Sequence, residues 1–282
     1  MDKIVHILIP NYNKAKFIVR TINSVLQQTY KNLQITIIDN KSTDNSIFLI
    51  KKHFKKFLDR KQIRIIINKK HVSLPQNWNL CLKNIGNCEF YKILCSDDTI
   101  EAQHIERAVK ALRSSDNTCF AYGCNIHYID IKDKIIGRRR YGLFGHEFLI
   151  SLFYRNCIGT PTSMVFKTNQ YDNYKIENLS YVGDLKVTMD YYLKGQKVIF
   201  DKNFGANFRI SSQSETTKNF GTSLMLRERG FLRLHIINNL NCNFFSKITL
   251  KMLSGIISVA EIVLFSLLKM FNFLKSFVYK KR

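Results

Sequence analysis

The residues best suited to chemistry are Asp97 and Asp98, which stand side by side after the apolar run at 89–95. Adjacent carboxylates repel, and each raises the pKa of the other. Chains tolerate such a pair in a solvated turn, or where a cation lies between the charges. A hard divalent cation, Mg²⁺ or Mn²⁺, suits carboxylate oxygens and also binds the oxygens of a diphosphate. The pair therefore indicates either a surface turn or a metal-assisted site for a phosphorylated ligand.

The elements that must position this pair alternate regularly along the first half of the chain. β-rich apolar runs and helical patterns follow one another, with strands predicted at 4–10, 33–39, 62–68 and 89–95 and helices at 15–28, 45–58 and 75–84. Strands that alternate with helices predict βαβ units and a parallel sheet buried on both faces. The predicted fold class is α/β, with a Rossmann-like, mostly parallel sheet and helices on both faces.

Four residues mark the ends of these strands at a constant interval. Pro10, Asp39, Asn68 and Asp97 follow one another every 29 residues, which is the length of one βα unit. Open α/β sheets bind their ligands at the carboxyl ends of the strands. We therefore expect Asp39 and the adjacent Asp97 and Asp98 to face one crevice.

The pattern becomes mixed in the second half of the chain. The predicted elements are a helix at 101–113, a strand at 118–130, a basic loop at 133–145, a helix at 146–154, a turn and strand at 159–167, a helix at 182–195, and short strands at 197–200 and 206–211. We predict a first half at 1–115, a second half at 116–215 that closes over it, and C-terminal helices at 216–282.

The C-terminal segment is apolar between Lys251 and Lys269, with Glu261 as its one charge. The 17 residues between these lysines are at the lower limit for a membrane span. Polar residues at steps of three or four form a narrow stripe, broken at Phe265: Ser254, Ser258, Glu261, Lys269, Asn272 and Ser276. Together with the neighbouring lysines, this stripe favours a helix lying on an anionic membrane face. A helix packed on the protein body or on another subunit, and a true span, are the alternatives.

Composition narrows the class of partner. The formal net charge of +23 favours a polyanion: nucleic acid, an anionic membrane, or a phosphorylated substrate. The seven cysteines form no CxxC pair, which favours reduced thiols in a cytosolic protein over a zinc site. The N-terminal apolar run ends at Pro10 and is too short for a signal peptide.

No glycine-rich phosphate loop is present, since neither GxGxxG nor GxxxxGK(S/T) occurs. A nucleotide must therefore be held by other groups. A nucleotidyltransferase is one alternative, but it would need a Gly-, Arg- and Lys-rich loop where this sequence has PNYNKAKF. A basic nucleic-acid-binding or scaffold protein is the other alternative, and it predicts salt-sensitive binding without base specificity.

Segment 7–46 resembles the N-terminal signature of the family 2 glycosyltransferases, which have the GT-A fold. It has a strand that ends in Pro followed by Tyr-Asn, a helix with SVLQQT, and a strand that ends in Asp before an STD turn. Segment 74–98 is similar to the following section, which ends in the family's DXD-type metal-binding motif. GTPTSMVFK, VGDLKVTMDYYLKG and FRISSQS resemble the acceptor half, so the resemblance covers about 4–215.

The resemblance implies a nucleotide-sugar site and an inverting transfer. The predicted nucleotide-binding residues are Pro10, Asn11, Tyr12, Asn13, Asp39, Asn68 and Asp97. Tyr12 would lie near the base, and Asp39 would accept a hydrogen bond from uracil N3–H. Asp97 would face the ribose or diphosphate, and Asp98, with Asp97, would hold Mg²⁺ or Mn²⁺. Asp184 would be the general base that deprotonates the acceptor hydroxyl. From the sequence alone, Asp184 is interpreted as a helix N-cap.

The sequence departs from the family pattern at several positions. Cys95 stands where many relatives have the first acid of the motif, and Ser211 stands where many have His. Only two acids remain, so the resemblance implies weak cation binding without nucleotide. Asn40 and Lys41 replace the usual Asp-Gly before the STD turn.

Together these inferences predict a cytoplasmic enzyme, peripheral on the inner face of the cell membrane. It would transfer a sugar from a nucleotide-sugar donor, expected to be a UDP-sugar, to a saccharide or lipid-linked acceptor in surface polysaccharide synthesis. The expected partners are that donor, that acceptor and an anionic membrane surface, with no nucleic acid. The C-terminal helices would also allow a homo-oligomer.

Overall fold

The computed structural model describes residues 4–142, 156–168, 176, 179–212 and 214–279, with side chains described up to 267. The strands are β1 Val5–Asn11, β2 Leu33–Asp39, β3 Ile63–Ile67, β4 Phe90–Ile93, β5 Thr99–Ile100, β6 Cys119–Ile129, β7 Ile135–Arg139, β8 Met164–Lys167 and β9 Lys197–Arg209. The helices are α1 Ile18–Leu26, α2 Ser46–His53, α3 Lys55–Asp59, α4 Leu74–Lys83, α5 His104–Arg113, α6 Gly183–Leu193, α7 Glu215–Asn219, α8 Ser223–Asn239 and α9 Phe244–Tyr279.

The described strands form one mixed sheet in the order β3-β2-β1-β4-β8-β6-β9-β5, with β7 paired to β6. The first half supplies four parallel strands, because β1 pairs parallel with both β2 and β4, and β2 with β3. In the second half, β6 and β9 form a further parallel pair. All seven residues of β1 are buried, as expected for a central strand covered on both faces. The α/β class with a mostly parallel sheet is confirmed. Both predicted halves contribute strands to this sheet.

The register of the parallel strands positions the sheet edge. Asn11 lies opposite Asp39, and Asp39 lies opposite Ile67, so β1, β2 and β3 end together. α1 covers this part of the sheet with an apolar face at helical spacing, which includes Ile18, Ile22 and Val25. The regular spacing seen in the sequence is therefore the spacing of strand ends.

Three predicted elements differ in the structure. The two short strands expected at 197–200 and 206–211 are one strand, β9, because it pairs with the whole length of β6. Register shifts in β6 near Cys124 absorb the polar, glycine-containing interruption of β9. The basic loop expected at 133–145 contains β7, paired antiparallel with β6. The helix expected at 45–58 divides at Phe54 into α2 and α3. The helix expected at 146–154 lies outside the described residues.

The described part of the polar stripe on α9 faces the protein. Arg233 of α8 donates to Ser258 at 3.0 Å and to Glu261 at 2.8 Å, and Arg229 pairs with Glu261 at 2.9 Å. Phe265, the break in the stripe, packs edge-on against the Phe220 ring at 5.3 Å. This packing corresponds to the alternative of a helix packed on the protein body, at least for the described part of the stripe. The buried Arg233 and the half-buried Arg229 both need an acidic partner, since a charge removed from water is costly unless it is paired.

The opposite face of α9 is apolar and exposed. Its exposed residues are Phe244, Phe245, Ile248, Met252, Leu253, Ile256, Val259, Ile262, Val263, Leu264 and Leu267. The stretch Phe244–Leu267 has a mean hydropathy of 1.9 and is 17% buried, and by length and composition it could cross a membrane.

Candidate active site

The carboxyl ends of β1 and β2 are joined by side-chain hydrogen bonds. Asn11 Nδ2 donates to Asp39 Oδ1 at 2.8 Å. Ser42 donates its hydroxyl to Oδ1 at 2.6 Å and its backbone N–H to Oδ2 at 2.9 Å. A carboxylate has about four acceptor positions, and these donors fill three of them. Asp39 is buried and shapes the turn after β2, with Oδ2 able to accept one further hydrogen bond.

The turn after β1 is held by the turn after β2. Asn13 adopts a left-handed φ of 51°, its Oδ1 accepts from Thr43 N at 2.8 Å, and its N–H donates to Ser42 Oγ at 3.0 Å. The neighbouring Tyr12 is 43% exposed, and its ring lies 4.5 Å from the ring of His71. A rigid, accessible aromatic pair of this kind suits a nucleoside base.

Asn68 lies behind the surface of the cleft. Its Nδ2 donates to Asn40 Oδ1 at 3.0 Å and to Asn77 Oδ1 at 2.9 Å. Asn40 in turn exchanges hydrogen bonds with the backbone of Val72, at 2.8 and 2.9 Å. Among the described cleft-lining residues, Asn40 and Asn77 are present, whereas Asn68 and Asp39 are not. Asn68 therefore supports the loop beside the cleft.

The two adjacent carboxylates have different surroundings. Asp97 lines the cleft, and its Oδ2 accepts from the Lys14 ammonium at 2.6 Å. Asp98 is 1% exposed, its Oδ1 accepts from Arg209 N at 2.8 Å, and its Oδ2 accepts from the Thr162 hydroxyl. Burial, followed by the charge of Asp97, raises the pKa of Asp98 to about 8. Both oxygens of Asp98 bind protein groups, so Asp97 is the carboxylate better placed for a ligand.

Arg209 links several segments around Asp97 and Asp98. Its buried guanidinium donates to Asp97 O at 2.7 Å, to Asp130 O at 2.5 Å and to the Asp133 carboxylate at 2.5 Å. It also lies 4.7 Å from the centre of the Phe17 ring. None of these contacts of Arg209 is evident from the sequence, because all the partners are distant from it in the chain.

Lys92 is a second organising residue that the sequence analysis missed. It is fully buried in β4, and its ammonium donates to the carbonyls of Pro161, Thr162 and Met164 at 3.2, 2.5 and 3.0 Å. Burial lowers the pKa of Lys92 to about 7. Lys92 thereby fixes the turn that presents the Thr162 hydroxyl to Asp98. A lysine inside a predicted buried strand was the available signal.

The described acidic residues of the cleft could bind a cation that a nucleotide also binds, but they are too few to hold one without a nucleotide. Within the described residues, no group of three or more His, Cys, Asp or Glu side chains could hold a metal ion. Ser211 is buried, and its hydroxyl has no hydrogen-bond partner in the described part of the chain. Mg²⁺ is commonly bound by one or two carboxylates together with substrate phosphates. Asp97 is the residue that meets this requirement.

Asp184 lies in the first turn of α6 and lines the same cleft as Asp97. Burial raises the pKa of Asp184 to about 6. A carboxylate with a pKa close to neutrality is well suited to accept a proton. The N-cap of α6 is Val182, which forms no side-chain capping bond, so the N-cap interpretation of Asp184 is wrong.

All the predicted site residues except Asp39 and Asn68 line one large cleft of about 1560 Å³. Its walls include the turn at 10–13, the acidic pair Asp97 and Asp98, and Asp184. Phe220, Arg229, Leu232 and Arg233 of the C-terminal extension also line it. This volume exceeds the 300–1,000 Å³ typical of small-ligand pockets. The cleft can therefore hold a large donor together with part of an acceptor.

A mostly parallel sheet with this aromatic turn and acidic pair at its edge defines a nucleotide-dependent transferase of GT-A type. The model described as Glycosyl transferase family 2 matches residues 6–175. The chain therefore belongs to glycosyltransferase family 2 and is a nucleotide-sugar glycosyltransferase.

Curated relatives share modest identity. Glycosyltransferase GlyG of Streptococcus pneumoniae is 21% identical over 215 residues, covering 71% of this chain and 68% of that protein. The Escherichia coli protein named UDP-Glc:alpha-D-GlcNAc-diphosphoundecaprenol beta-1,3-glucosyltransferase is 31% identical over 137 residues, covering 49% and 51%. An uncharacterized glycosyltransferase of Haemophilus influenzae is 27% identical, with 65% of this chain and 58% of that protein covered. Two of these three alignments therefore span less than two thirds of the relative.

Solved structures confirm the GT-A-like fold. S. aureus TarS 1–349 in complex with UDP-GlcNAc superposes with a TM-score of 0.64 at 14% identity, covering 88% of this chain and 70% of that one. The mannosyltransferase PcManGT from Pyrobaculum calidifontis, in complex with GDP-Man and Mn²⁺, gives 0.66 at 14%, covering 94% and 74%.

Proposed function

We propose that the protein is an inverting glycosyltransferase that moves a sugar from a UDP-sugar to a hydroxyl of a saccharide or lipid-linked acceptor. The observation that carries this proposal is the single cleft that contains the Tyr12 turn, Asp97 and Asp184. These three features supply a surface for the base, a carboxylate near the diphosphate, and a proton acceptor for the incoming hydroxyl.

The donor is proposed to lie at the edge of β1 and β2. Tyr12 and His71 would contact the base. Asp39 is buried beside the cleft, so uracil N3–H would reach the open acceptor position on Asp39 Oδ2 only after the turn that covers this carboxylate moves aside. One solved relative binds UDP-GlcNAc and another binds GDP-Man. The single carboxylate acceptor favours uracil, which has one N–H on its pairing edge.

The proposed cofactor is Mg²⁺ or Mn²⁺, held by Asp97 together with the donor diphosphate. When bound, the cation supplies positive charge that stabilises the departing diphosphate. Asp98 was expected to be the main ligand. Its bonds to Arg209 and Thr162 instead support a role in holding the loop that carries Asp97.

Asp184 is proposed to take the proton from the acceptor hydroxyl as that oxygen attacks the anomeric carbon. The new glycosidic bond forms while the bond to the diphosphate breaks, and the proton ends on the Asp184 carboxylate. Direct displacement inverts the anomeric centre and needs one base, as in the acid–base logic of inverting glycosidases.

The acceptor and location are proposed from the far wall of the cleft. The named substrate of the E. coli relative is linked to diphosphoundecaprenol. In this chain, the cleft reaches Arg229 and Arg233, which also contact α9. We infer that the acceptor belongs to surface polysaccharide synthesis. The enzyme would work at the cytoplasmic face of the membrane, with the exposed apolar face of α9 against anionic lipid.

The test is a screen of UDP-, GDP- and dTDP-sugars for thermal stabilisation, with and without Mn²⁺, followed by transfer from the best donor to bacterial lipid extract. A bound donor stabilises the native state by mass action. Stabilisation by UDP-sugars that requires Mn²⁺, with labelled lipid as product, supports the proposal. Stabilisation by nucleoside triphosphates alone would favour a nucleotidyltransferase. Salt-sensitive retention of DNA or RNA on filters, without donor binding, would favour the nucleic-acid alternative.

A further inference from the structure

Glu228 of α8 binds a segment that lies far from it in the sequence. It is 3% exposed, and its carboxylate accepts hydrogen bonds from three consecutive backbone amides. Oε1 accepts from Ser180 N at 3.0 Å, and Oε2 accepts from Tyr181 N at 2.7 Å and Val182 N at 3.2 Å. A buried carboxylate that receives three N–H groups is both satisfied and firmly held.

These amides belong to the three residues that directly precede α6. Val182 is the N-cap of that helix and makes no side-chain capping bond. The first N–H groups of a helix need acceptors from outside the helix, and a negative charge is favoured at that end. Glu228 accepts from the N–H of the N-cap residue Val182 and from the two N–H groups before it, and it places a negative charge at this end of α6 from a different helix.

The same segment carries the proposed base. Asp184 follows Val182 by two residues, and Ser180, Tyr181, Val182 and Asp184 all line the cleft. A displacement of the segment would therefore displace the Asp184 carboxylate. A shift of about 1 Å in a reacting group can cost about 100-fold in rate.

The neighbouring residues on α8 join this segment to the C-terminal helix. Arg229 and Arg233 pair with Glu261 of α9 at 2.9 and 2.8 Å. α8 thus binds the segment 180–182 before α6 on one side and α9 on the other. α8 lies outside the family match at 6–175, so the family signature does not include this support.

We propose that Glu228 is a positioning residue for the transfer reaction: it holds the loop 180–182 and so places Asp184 against the acceptor hydroxyl. The proposal rests on the proposed role of Asp184 as the base. Glu228 itself touches neither donor nor acceptor in this scheme.

The experiment compares the full-length variants Glu228→Gln and Glu106→Gln. The glutamine keeps the size but turns one acceptor into a donor that faces backbone N–H groups. We expect kcat to fall about 10–100-fold in Glu228→Gln, with UDP affinity by calorimetry within about twofold of native. Glu106 is an exposed residue in the first turn of α5, does not line the cleft, and accepts from the Thr29 hydroxyl at 2.8 Å, so its variant should keep native kcat.

A double-mutant cycle separates positioning from general damage. If Glu228 acts through Asp184, Glu228→Gln should lower kcat little further in an Asp184→Asn background. A native kcat in Glu228→Gln, or an equal loss of kcat in both backgrounds, would overturn the proposal. Native kcat in Asp184→Asn alone would instead refute the proposed base. Rates are normalised to the UDP-binding stoichiometry, so a partly unfolded variant still gives a result.

Discussion

At the scale of single residues, the acidic groups of the cleft differ by their immediate partners. Asp97 faces a lysine, Asp98 is bound by a backbone amide and a hydroxyl, and Asp184 has its pKa raised by burial. These surroundings favour three roles: ligand binding, loop support and proton transfer.

Replacing Asp184 with Asn tests the proton acceptor. An amide cannot take the proton, and a positioned general base contributes roughly 10²–10⁴-fold. We expect kcat to fall by that factor, with near-native UDP affinity and melting temperature. Measuring all three on one preparation checks the assignment, and a near-native kcat would end it.

The pKa of Asp184 predicts the pH dependence of the reaction. Burial raises that pKa to about 6, and the carboxylate is the active form of a base. The rate should therefore be maximal above about pH 7 and fall as the pH drops through 6, reaching about one-tenth of the maximum at pH 5. A profile of kcat against pH with no decline between pH 7 and 5 would contradict this.

Lys14→Met tests the environment of Asp97. The Lys14 ammonium lies 2.6 Å from Asp97 Oδ2, where it would compete with the proposed cation in the free protein and would attract the proposed diphosphate in the complex. We expect the variant to bind Mn²⁺ more tightly without nucleotide and to bind UDP more weakly by about 1.5–3 kcal/mol. Lys16→Met is the control, since Lys16 also lines the cleft but is exposed. Unchanged Mn²⁺ and UDP affinities in calorimetry would exclude this role.

At the scale of elements, Glu261 is the centre of a polar contact between α8 and α9. Glu261 is the acidic partner of both Arg229 and Arg233, and the Arg233 side chain is nearly inaccessible to solvent. The small apolar cluster of Ile237, Ile257 and Leu250 completes the contact between α8 and α9.

Glu261→Ala should loosen α9 from α8. Removing one partner of a buried ion pair leaves an uncompensated charge and costs about 3–5 kcal/mol. We expect faster hydrogen exchange at 250–265, while exchange in β1 and β2 stays native. Glu215→Ala is the matched control, because its pair with Lys218 is exposed and contributes at most about 1 kcal/mol. Unchanged exchange in Glu261→Ala would show that apolar contacts alone hold the helix.

At the scale of the whole molecule, the net charge of +23 and the exposed apolar face of α9 together restrict what can bind that face. Two copies of so basic a chain repel, which disfavours a homodimer through this face. The proposed partner, anionic lipid, would satisfy both features, because it would attract the lysines and receive the apolar side chains.

A double substitution of Met252 and Ile256 with Glu tests the membrane face. Both side chains are about two-thirds exposed, at 67% and 66%, so the fold and UDP affinity should be unchanged. We expect loss of binding to phosphatidylglycerol vesicles in a flotation assay. Phe48→Glu is the control, since Phe48 is 62% exposed on α2, away from this face.

Salt provides the second arm of the membrane test. High salt should release part of the native protein, because its charge contribution is screened. Native flotation of the double variant would refute the membrane role of this face. Extraction of the native protein by detergent alone, at any salt concentration, would favour a span.

The local pattern of the sequence was enough to predict the framework of this protein. Apolar strands alternating with amphipathic helices specify a parallel sheet, because each period is set by backbone geometry. The interval between Pro10, Asp39, Asn68 and Asp97 also predicted which residues reach the carboxyl edge. Cleft-lining positions such as Tyr12 and Asp184 followed from the family resemblance.

Only the tertiary structure decided which groups at that edge face the ligand. Asp97 and Asp98 are neighbours in sequence, yet Arg209 and Thr162, from distant elements, turn one of them inward. The direction of the polar stripe on α9 and the support from Glu228 depend in the same way on partners far along the chain. Periodicity specifies a strand or a helical face, whereas the partner of a buried polar group depends on which elements meet in three dimensions.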